Sequence, residues 1–343
     1  MFSCNELYQK DLFLHNREDE FREKFKYLDE PDFISKKYNS FVIFNLYQNF
    51  ASKKKLISLA DCGSFLGFDL YKNLSTSELK KKLSNANFCK DRFCDMCNWR
   101  RARKFGIQNY QILKTIELNQ KVRYLFATFT IHNPCVSELR SKIKEFNRAW
   151  KRMTQTKRWR KSILGYIKAI EIPFQKNDNT RINLHAHCLL IVPSVYFKGD
   201  LYISQKEFTQ LWKTALRVDY TPVVDVRIIK SKNDVSDPIW SVVAETTKYP
   251  LKSIDLRDID WKTFKELVEQ THHLRFVNYG GIAKDYRKML FSDDDLENGD
   301  LIYSVDDELD ELFWEKVGKL WYSLEAGKYV LHNKDLSQIV SKL

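Results

Sequence analysis

The chain has 343 residues, 43% of them hydrophobic, which is enough for two or three domains with a sizeable core. Lysine and arginine outnumber acidic residues by 57 to 45, and the resulting net charge of +12 favours a polyanionic partner. No stretch approaches the roughly 18 apolar residues of a membrane span, and the charged N-terminus has no continuous apolar segment, so we expect neither a membrane partner nor a secretory signal, and a cytoplasmic location.

Residues 1–55 are polar and charged, and we predict an N-terminal extension without a chemical role. Residues 56–105 contain four cysteines and are predicted as a zinc-binding, DNA-contacting element. The chain has seven cysteines, an odd number that argues against a disulfide framework.

The spacing of the four cysteines predicts a metal site. Cys94 and Cys97 are separated by two residues, Cys89 is nearby, and Cys62 supplies a fourth thiolate. Tetrahedral zinc takes four such ligands. Free cysteines in a core or a redox pair are the alternative interpretations. The third nearby cysteine and the charged surroundings favour structural Zn²⁺.

Two basic segments contain tryptophans, "NWRRARK" (98–104) and "RAWKRMTQTKRWRK" (148–161). Cationic side chains bind phosphates and exposed aromatic rings stack on bases, so these segments are candidates for DNA binding; a solvated helix face is the alternative. From the first segment, the predicted DNA-binding residues are Arg100, Arg101, Arg103 and Lys104.

Hydrophobic periodicity predicts alternating helices and strands in the rest of the chain. Predicted helices cover 106–118, the stripe Leu139, Ile143, Phe146, Trp150 and Met153, then 204–216 with Ser204 as N-cap, 240–254 and 261–270. Predicted strands cover 123–131, 165–174, 182–192, 223–229 and 274–281. This order indicates an α+β fold, with an antiparallel sheet covered by helices on one face.

The segment "RINLHAHCLLIV" places two histidines two residues apart in a strand, so that they share a face. If the preceding hairpin is centred on Asp178, Glu171 lies opposite His185 and points to the same face. Two histidines and a carboxylate suit a divalent cation with open coordination positions. Hydrogen-bonded core histidines are the alternative, and a register slip of one residue would move Glu171 to the other face.

The segment "AETTKYPLKSID" supplies a candidate nucleophile. Glu245 and Tyr249 are four residues apart, hence on one face of a helix. A tyrosine beside a carboxylate can attack phosphorus and form a phosphotyrosine, and Lys248 or Lys252 can stabilise the developing charge. A surface tyrosine on an amphipathic helix is the more common explanation of such a pair.

Taken together, "CGSFLGF…ANFCKDRFCDMCNWRRARK", "LFATFTIHN", "NLHAHCLLIV" and "ETTKYPLK" resemble, in sequence and order, the plasmid rolling-circle replication initiators (Rep proteins) of the HUH endonuclease superfamily. The resemblance covers roughly residues 56–290. It implies a ferredoxin- or RNA-recognition-like central antiparallel sheet, with residues 106–290 as the nuclease domain. The C-terminal residues 291–343 lie outside it, and their acidic runs predict an exposed, helical segment that does not face DNA.

The resemblance also implies a mechanism. His185 and His187 would hold Mg²⁺ or Mn²⁺ at the scissile phosphate, and Tyr249 would cut one strand of the plasmid's double-strand origin. The implied partner is plasmid origin DNA, both double-stranded and single-stranded. The enzyme would remain joined to the 5′ phosphate and leave a 3′ hydroxyl for a host polymerase, with a host helicase as a further partner. Glu245 matches the glutamate that activates water to end the round, while Lys252 is a candidate for stabilising charge.

Two departures and two alternatives accompany this interpretation. Some relatives carry a further histidine where this chain has Asn183, which leaves Glu171 as our candidate third metal ligand. Pro250 disfavours a regular helix immediately after Tyr249. The alternatives are a related HUH relaxase or transposase, and a non-catalytic zinc-dependent DNA-binding regulator.

Overall fold

The chain divides into two compact units. The computed structural model describes residues 33–229, 239, 243, 256–291, 301–302, 314–325 and 328–332. One unit combines Met1–Arg100 with Asp300–Leu343, and the other is the continuous stretch Arg101–Gly299. Among the described residues, no helix has both the length and the apolar character needed to cross a bilayer.

The described residues form eight α-helices and eleven β-strands. The helices are α1 (Phe33–Tyr47), α2 (Lys53–Asp61), α3 (Asp95–Asn119), α4 (Leu139–Thr154), α5 (Lys157–Ser162), α6 (Gln205–Leu216), α7 (Trp261–Thr271) and α8 (Ile282–Phe291). The strands are β1 (Phe65–Asn73), β2 (Leu79–Ala86), β3 (Val122–Thr130), β4 (Gly165–Glu171), β5 (Phe174–Gln175), β6 (Asp178–Ile182), β7 (His185–Pro193), β8 (Val224–Ile228), β9 (Val277–Gly281), β10 (Trp314–Glu325) and β11 (Lys328–His332).

A five-stranded antiparallel sheet forms the centre of the continuous unit, in the order β8-β3-β7-β4-β9. The first four strands of the sheet and the two helices that connect them follow the chain order β3-α4-β4-β7-α6-β8. In the sheet, β7 lies between β3 and β4, the two strands that α4 connects. This is the strand order of the ferredoxin-like split βαβ arrangement. The predicted α+β class and antiparallel sheet are confirmed, whereas the HUH assignment of this sheet stays a prediction.

Helices α4 and α6 pack on one face of the sheet. All five members of the predicted α4 stripe are buried, and Ser204 caps α6 by accepting a hydrogen bond from the Glu207 N–H, as predicted. Phe129 of β3 contacts Trp150 and Trp212 edge-on at 5.2 and 5.5 Å between ring centroids. These aromatic contacts, together with the apolar area that they bury, stabilise the layer.

The tryptophans of the basic segment 148–161 belong to this core. Trp150 and Trp159 are each only 3% exposed, and their ring centroids lie 5.5 Å apart. The prediction that they stack on DNA bases is therefore wrong. Their spacing places them on the apolar side of α4 and α5, while the neighbouring cations remain on the other side.

The opposite face of the sheet also contacts a helix, which corrects the prediction of helices on one face only. The hydroxyl of Tyr279, in β9, donates a 2.7 Å hydrogen bond to Oδ1 of Asn109 in α3. The register of β4 with β9 places Tyr279 opposite Ile167, on the same face as Glu171. Helix α3 begins at Asp95, not at residue 106 as predicted.

The unit formed by the chain ends contains a four-stranded antiparallel sheet in the order β11-β10-β1-β2. The prediction of a helical segment over 291–343 is therefore wrong for its described strands, β10 and β11. Within β10, Leu320 and Tyr322 are buried, and they alternate with half-buried residues as strand residues do. Acidic composition outweighed this alternation in the prediction. The acidic runs at 292–300 and 306–312, and most of the predicted helix 240–254, lie outside the described residues.

Candidate metal centres

The two histidines of β7 face a glutamate of β4, in the register that the hairpin predicted. Glu171 lies directly opposite His185, and Ala169 lies opposite His187. The Nε2 atoms of His185 and His187 are 3.4 and 3.6 Å from the same carboxylate oxygen, Oε2 of Glu171. The three side chains therefore form one cluster, whose ligand atoms all lie within 4.8 Å of one another.

Each imidazole is held at its other nitrogen. Nδ1 of His185 lies 2.8 Å from the backbone carbonyl oxygen of Asn183. Because a carbonyl only accepts, a neutral His185 carries its proton on Nδ1 and keeps the lone pair of Nε2 for a metal. Nδ1 of His187 lies 3.0 Å from the hydroxyl of Thr128, and the Phe126 ring stacks on His187 at 5.1 Å. Such contacts orient histidine ligands in metal sites.

The charges of the cluster suit a cation. Burial opposes ionisation of Glu171, but the attraction of the two imidazoles in their protonated form outweighs it and lowers the pKa of the carboxyl to about 2. Burial also opposes charge on His185, yet its hydrogen bond with Glu171 raises the pKa of the imidazole. The other carboxylate oxygen, Oε1, is buried and has no hydrogen-bond partner in the described part of the chain. An ionised carboxylate with this unused acceptor, beside two imidazoles, fits a divalent cation.

Thr128 and Phe126 are the residues of this site that sequence reasoning missed. Both lie on β3, where Thr128 pairs with His187 across the strands. The sequence predicts a strand over 123–131, and alternation along it places Phe126 and Thr128 on one face, but it does not show that this face meets His187. The predicted catalytic residues Glu245, Tyr249 and Lys252 lie outside the described residues.

The four predicted zinc ligands converge in the other unit. Sγ of Cys62 lies 3.5 Å from Sγ of both Cys94 and Cys97, and Sγ of Cys89 lies 3.6 Å from that of Cys97. Four sulfurs bound at about 2.3 Å to a tetrahedral ion are ~3.8 Å apart, close to these values. A disulfide requires about 2.05 Å, which these pairs do not approach. Hydrogen bonds from the other three thiols lower the pKa of Cys94, whereas hydrogen bonds with neighbouring thiols raise the pKa of Cys89 and burial raises that of Cys97.

Local backbone geometry brings these cysteines together. Cys62 ends α2, while Cys94 and Cys97 flank the first residues of α3. Gly63 has a φ of +68°, and a Cβ there would lie 2.8 Å from Cγ of Met96. Glycine is therefore required at this turn beside the cluster.

Helix α1 lies in the region predicted to have no chemical role, yet two of its side chains, Lys37 and Ser40, lie close to the cysteine cluster. Lys37 is 3% exposed, and its Nζ donates to the carbonyl oxygens of Ala60 and Cys62 at 2.5 and 2.7 Å. The hydroxyl of Ser40 lies 3.3 Å from Sγ of Cys94. Four thiolates around Zn²⁺ carry a net charge of −2, so a buried ammonium at this position offsets part of it.

The predicted DNA-binding residues at the start of α3 require correction. Arg100, Arg101 and Lys104 are each 5% exposed or less, and only Arg103 is exposed. The guanidinium of Arg100 donates to the carbonyl oxygens of Leu301 and Ile302 at 2.7 and 2.8 Å. Three of the four side chains therefore have no exposed surface for DNA, because α3 begins earlier than predicted and includes them in its buried part.

Comparison with known proteins identifies relatives over most of the chain. A family model described as "Replication protein" matches residues 80–330. "Protein rep" of Streptococcus pneumoniae serotype 2 (strain D39 / NCTC 7466) is 30% identical over 299 residues, 86% of this chain and 90% of that protein. "Replication protein" of Staphylococcus aureus is 37% identical over 212 residues, 60% of this chain and 89% of that protein. No solved structure is significantly similar to the chain.

Replacing Thr128 tests how the histidine cluster is oriented. Thr128→Val keeps the shape of the side chain but removes the hydroxyl contact to Nδ1 of His187, and we expect Mn²⁺ affinity to fall about tenfold or more. The control is Thr130→Val, from the same strand face, whose hydroxyl donates instead to the carbonyl of Val223. Calorimetric titration with Mn²⁺ measures both variants, and equal affinities would contradict the assigned role of Thr128.

Replacing Lys37 tests the cysteine cluster. We expect one zinc per chain, and Lys37→Met should lower zinc affinity by about tenfold, since one compensating charge is lost at low dielectric. Lys37→Arg should retain most of the affinity. Lys54→Met, at an exposed position of α2, is the control. Competition with a chromogenic chelator provides the measurement; metal-free wild-type protein, or Lys37→Met with wild-type affinity, would oppose this assignment.

Proposed function

The chain belongs to the replication-protein family of plasmid rolling-circle initiators, and from that premise we propose that it nicks one DNA strand at the double-strand origin of its plasmid. The observation that carries the proposal is the cluster of Glu171, His185 and His187 on an antiparallel sheet in a chain of this family. Two imidazoles and an ionised carboxylate, with an acceptor unused by the protein, support a site for a phosphodiester and a divalent cation.

The protein's own residues prepare this site. Held by Glu171, His185 and His187, Mg²⁺ or Mn²⁺ would supply Lewis-acid polarisation of the scissile phosphate. The carbonyl of Asn183 and the hydroxyl of Thr128 hold the two imidazoles. With a carboxyl pKa of about 2, Glu171 remains ionised throughout the physiological pH range. The site is thus organised before DNA arrives, which reduces the cost of arranging it during the reaction.

We assign the nucleophile to Tyr249. Its phenolic oxygen forms a bond to phosphorus as its proton leaves to a base, and the bond from phosphorus to the 3′ oxygen breaks. The departing oxygen takes up a proton and becomes the 3′ hydroxyl that a host polymerase extends, with a host helicase separating the strands. Lys252 stabilises the charge that develops on the phosphoryl oxygens. Support for these assignments comes from the motif "ETTKYPLK" and its order relative to the histidine pair.

Glu245 has a separate role at the end of the round. A covalent intermediate preserves the energy of the first phosphodiester bond, whereas hydrolysis of the last one releases the product. Glu245 accepts a proton from the attacking water at that last cut. One tyrosine and one glutamate therefore suffice for a single round of initiation and termination.

The unit that contains the four cysteines would hold a second metal ion. A structural Zn²⁺ held by Cys62, Cys89, Cys94 and Cys97 stabilises the elements from which these ligands come. Among the predicted DNA-binding residues of α3, Arg103 is exposed and remains the candidate for contact with double-stranded origin DNA.

Replacing Tyr249 tests the reaction class. Tyr249→Phe should bind origin DNA like the wild type but lose nicking of supercoiled plasmid by on the order of a thousandfold or more. Tyr202→Phe, at a position 48% exposed, serves as the control and should nick normally. Gel analysis and mass spectrometry of the DNA-linked peptide should identify a 5′-phosphate adduct on Tyr249 that EDTA prevents. Full activity of Tyr249→Phe would favour the non-catalytic regulator.

Replacing Glu245 separates initiation from termination. Glu245→Ala should retain the first cut and slow hydrolytic termination by about a hundredfold, because the general base for water is lost. Glu269→Ala, at an exposed position of α7, is the matched control. A plasmid substrate with two origins, resolved on a denaturing gel, reports both steps; loss of the first cut as well would assign Glu245 a different role.

A further inference from the structure

A cleft of about 620 Å³ opens beside the histidine cluster, and Ile131 and Val223 give part of its wall an apolar surface. It is lined mainly by Thr130, His132, Asn133, Gln175, Arg181 and Asn183. Its volume is ample for a nucleobase and its sugar. Two of these residues, His132 and Asn133, end the motif "LFATFTIHN" just after β3, where the metal cluster gives them no role.

The cleft is continuous with the metal site through two lining residues. Thr130 pairs directly with His185 across the strands. Asn183 accepts the hydrogen bond from Nδ1 of His185 with its backbone carbonyl, while its side chain lines the cleft. A molecule in the cleft would therefore lie next to His185, one of the candidate metal ligands.

The side chains offer hydrogen bonds that match a base edge. Nδ2 of Asn133 donates to Oε1 of Gln175 at 3.1 Å. This bond leaves the Gln175 amide as a donor and Oδ1 of Asn133 as an acceptor, side by side; within the described structure neither group has another partner. Adjacent donors and acceptors are how amide side chains read the edges of bases. The side-chain amide of Asn183, which is exposed, adds a third such group.

Two aromatic rings meet at His132, which lines the cleft. The Tyr220 hydroxyl accepts a 3.1 Å hydrogen bond from the backbone N–H of His132, and their rings meet edge to face at 6.3 Å. Tyr220 is 37% exposed and His132 is exposed, so ring faces are available for stacking. Stacking on aromatic rings is the usual way in which proteins hold an unpaired base.

The charge of the cleft favours a base over a phosphate. Among the described residues, Arg181 is the one arginine or lysine that lines the cleft, and its Nε lies 3.8 Å from Oδ2 of Asp178, which also lines the cleft. The same guanidinium donates to the carbonyl of Asn133 at 3.0 Å. A cation already paired with a carboxylate leaves little net charge for a phosphate.

We propose that this cleft binds the unstacked base of a nucleotide adjacent to the scissile phosphate in single-stranded DNA. The inference rests on the proposed function and adds a position at which the strand is held and read. A base within a duplex cannot enter, because its hydrogen-bonding edge is occupied by the paired base. The cleft thereby selects a melted strand and aligns the next phosphate with Glu171, His185 and His187.

Binding to oligonucleotides without nicking tests this inference. In EDTA, the affinities of fluorescein-labelled dA12, dC12 and dT12 are compared with that of an abasic 12-mer of the same backbone. The double variant Gln175→Ala with Asn183→Ala should bind at least one base-bearing 12-mer about tenfold more weakly than the wild type, the worth of one base contact. Its affinity for the abasic 12-mer should stay within about twofold.

Controls separate this result from general damage. Gln210→Ala, an exposed amide of α6 that bonds only Thr214 of its own helix, should bind all four oligonucleotides like the wild type. Tyr220→Ala should weaken the same base-bearing 12-mer. Wild-type binding by the double variant, or an equal loss on the base-bearing and abasic 12-mers, would overturn the inference. Base-dependent binding by a protein that never nicks would retain the cleft and reject the proposed nickase.

Discussion

The pairing register of β4 with β7 is the constraint on which the cluster of Glu171, His185 and His187 depends. It sets Glu171 opposite His185 and Ala169 opposite His187, and a slip of one residue would move the carboxylate to the other face. The pairing is secured by buried residues on both strands far from the site, among them Ile167 and Leu189. Packing in the interior thus fixes the position of the Glu171 carboxylate, at the end of the interior strand β4.

How much of this could be predicted depends on how local each interaction is. The Glu171–His185 register follows from one hairpin and the period of two along a strand, and it holds although the hairpin contains a bulge next to Gln175. The hydrogen bond from Thr128 to His187 joins residues 59 apart, and one sequence does not show which strands become neighbours. The burial of Arg101 could not be predicted either, since composition records a charge but not the side of the helix on which the residue lies.

The two candidate metal centres differ in how completely protein ligands would surround an ion. The cysteine cluster has four protein ligands, three of them fully buried, and a closed shell of this kind leaves no position for a substrate. The cluster of Glu171 and two histidines offers three partly buried ligands at the ends of interior strands, and three protein ligands leave coordination positions for water and phosphate. Lys37 adds a positive charge beside the cysteine cluster, whereas the ionised Glu171 adds a negative charge within the histidine cluster.

Because β1 pairs with β10, the sheet in the unit that contains the cysteines can form only late during synthesis. Phe65 pairs with Ser323, so this sheet is complete only after almost the whole chain has been translated. The continuous unit, by contrast, can fold on the ribosome as soon as its own residues emerge. Closing so long a loop is slow, because its entropy is lost before the contacts form. Translation that stops before residue 314 would therefore yield chains without β10 and β11, in which the four-stranded sheet of the unit that contains the cysteines cannot be completed.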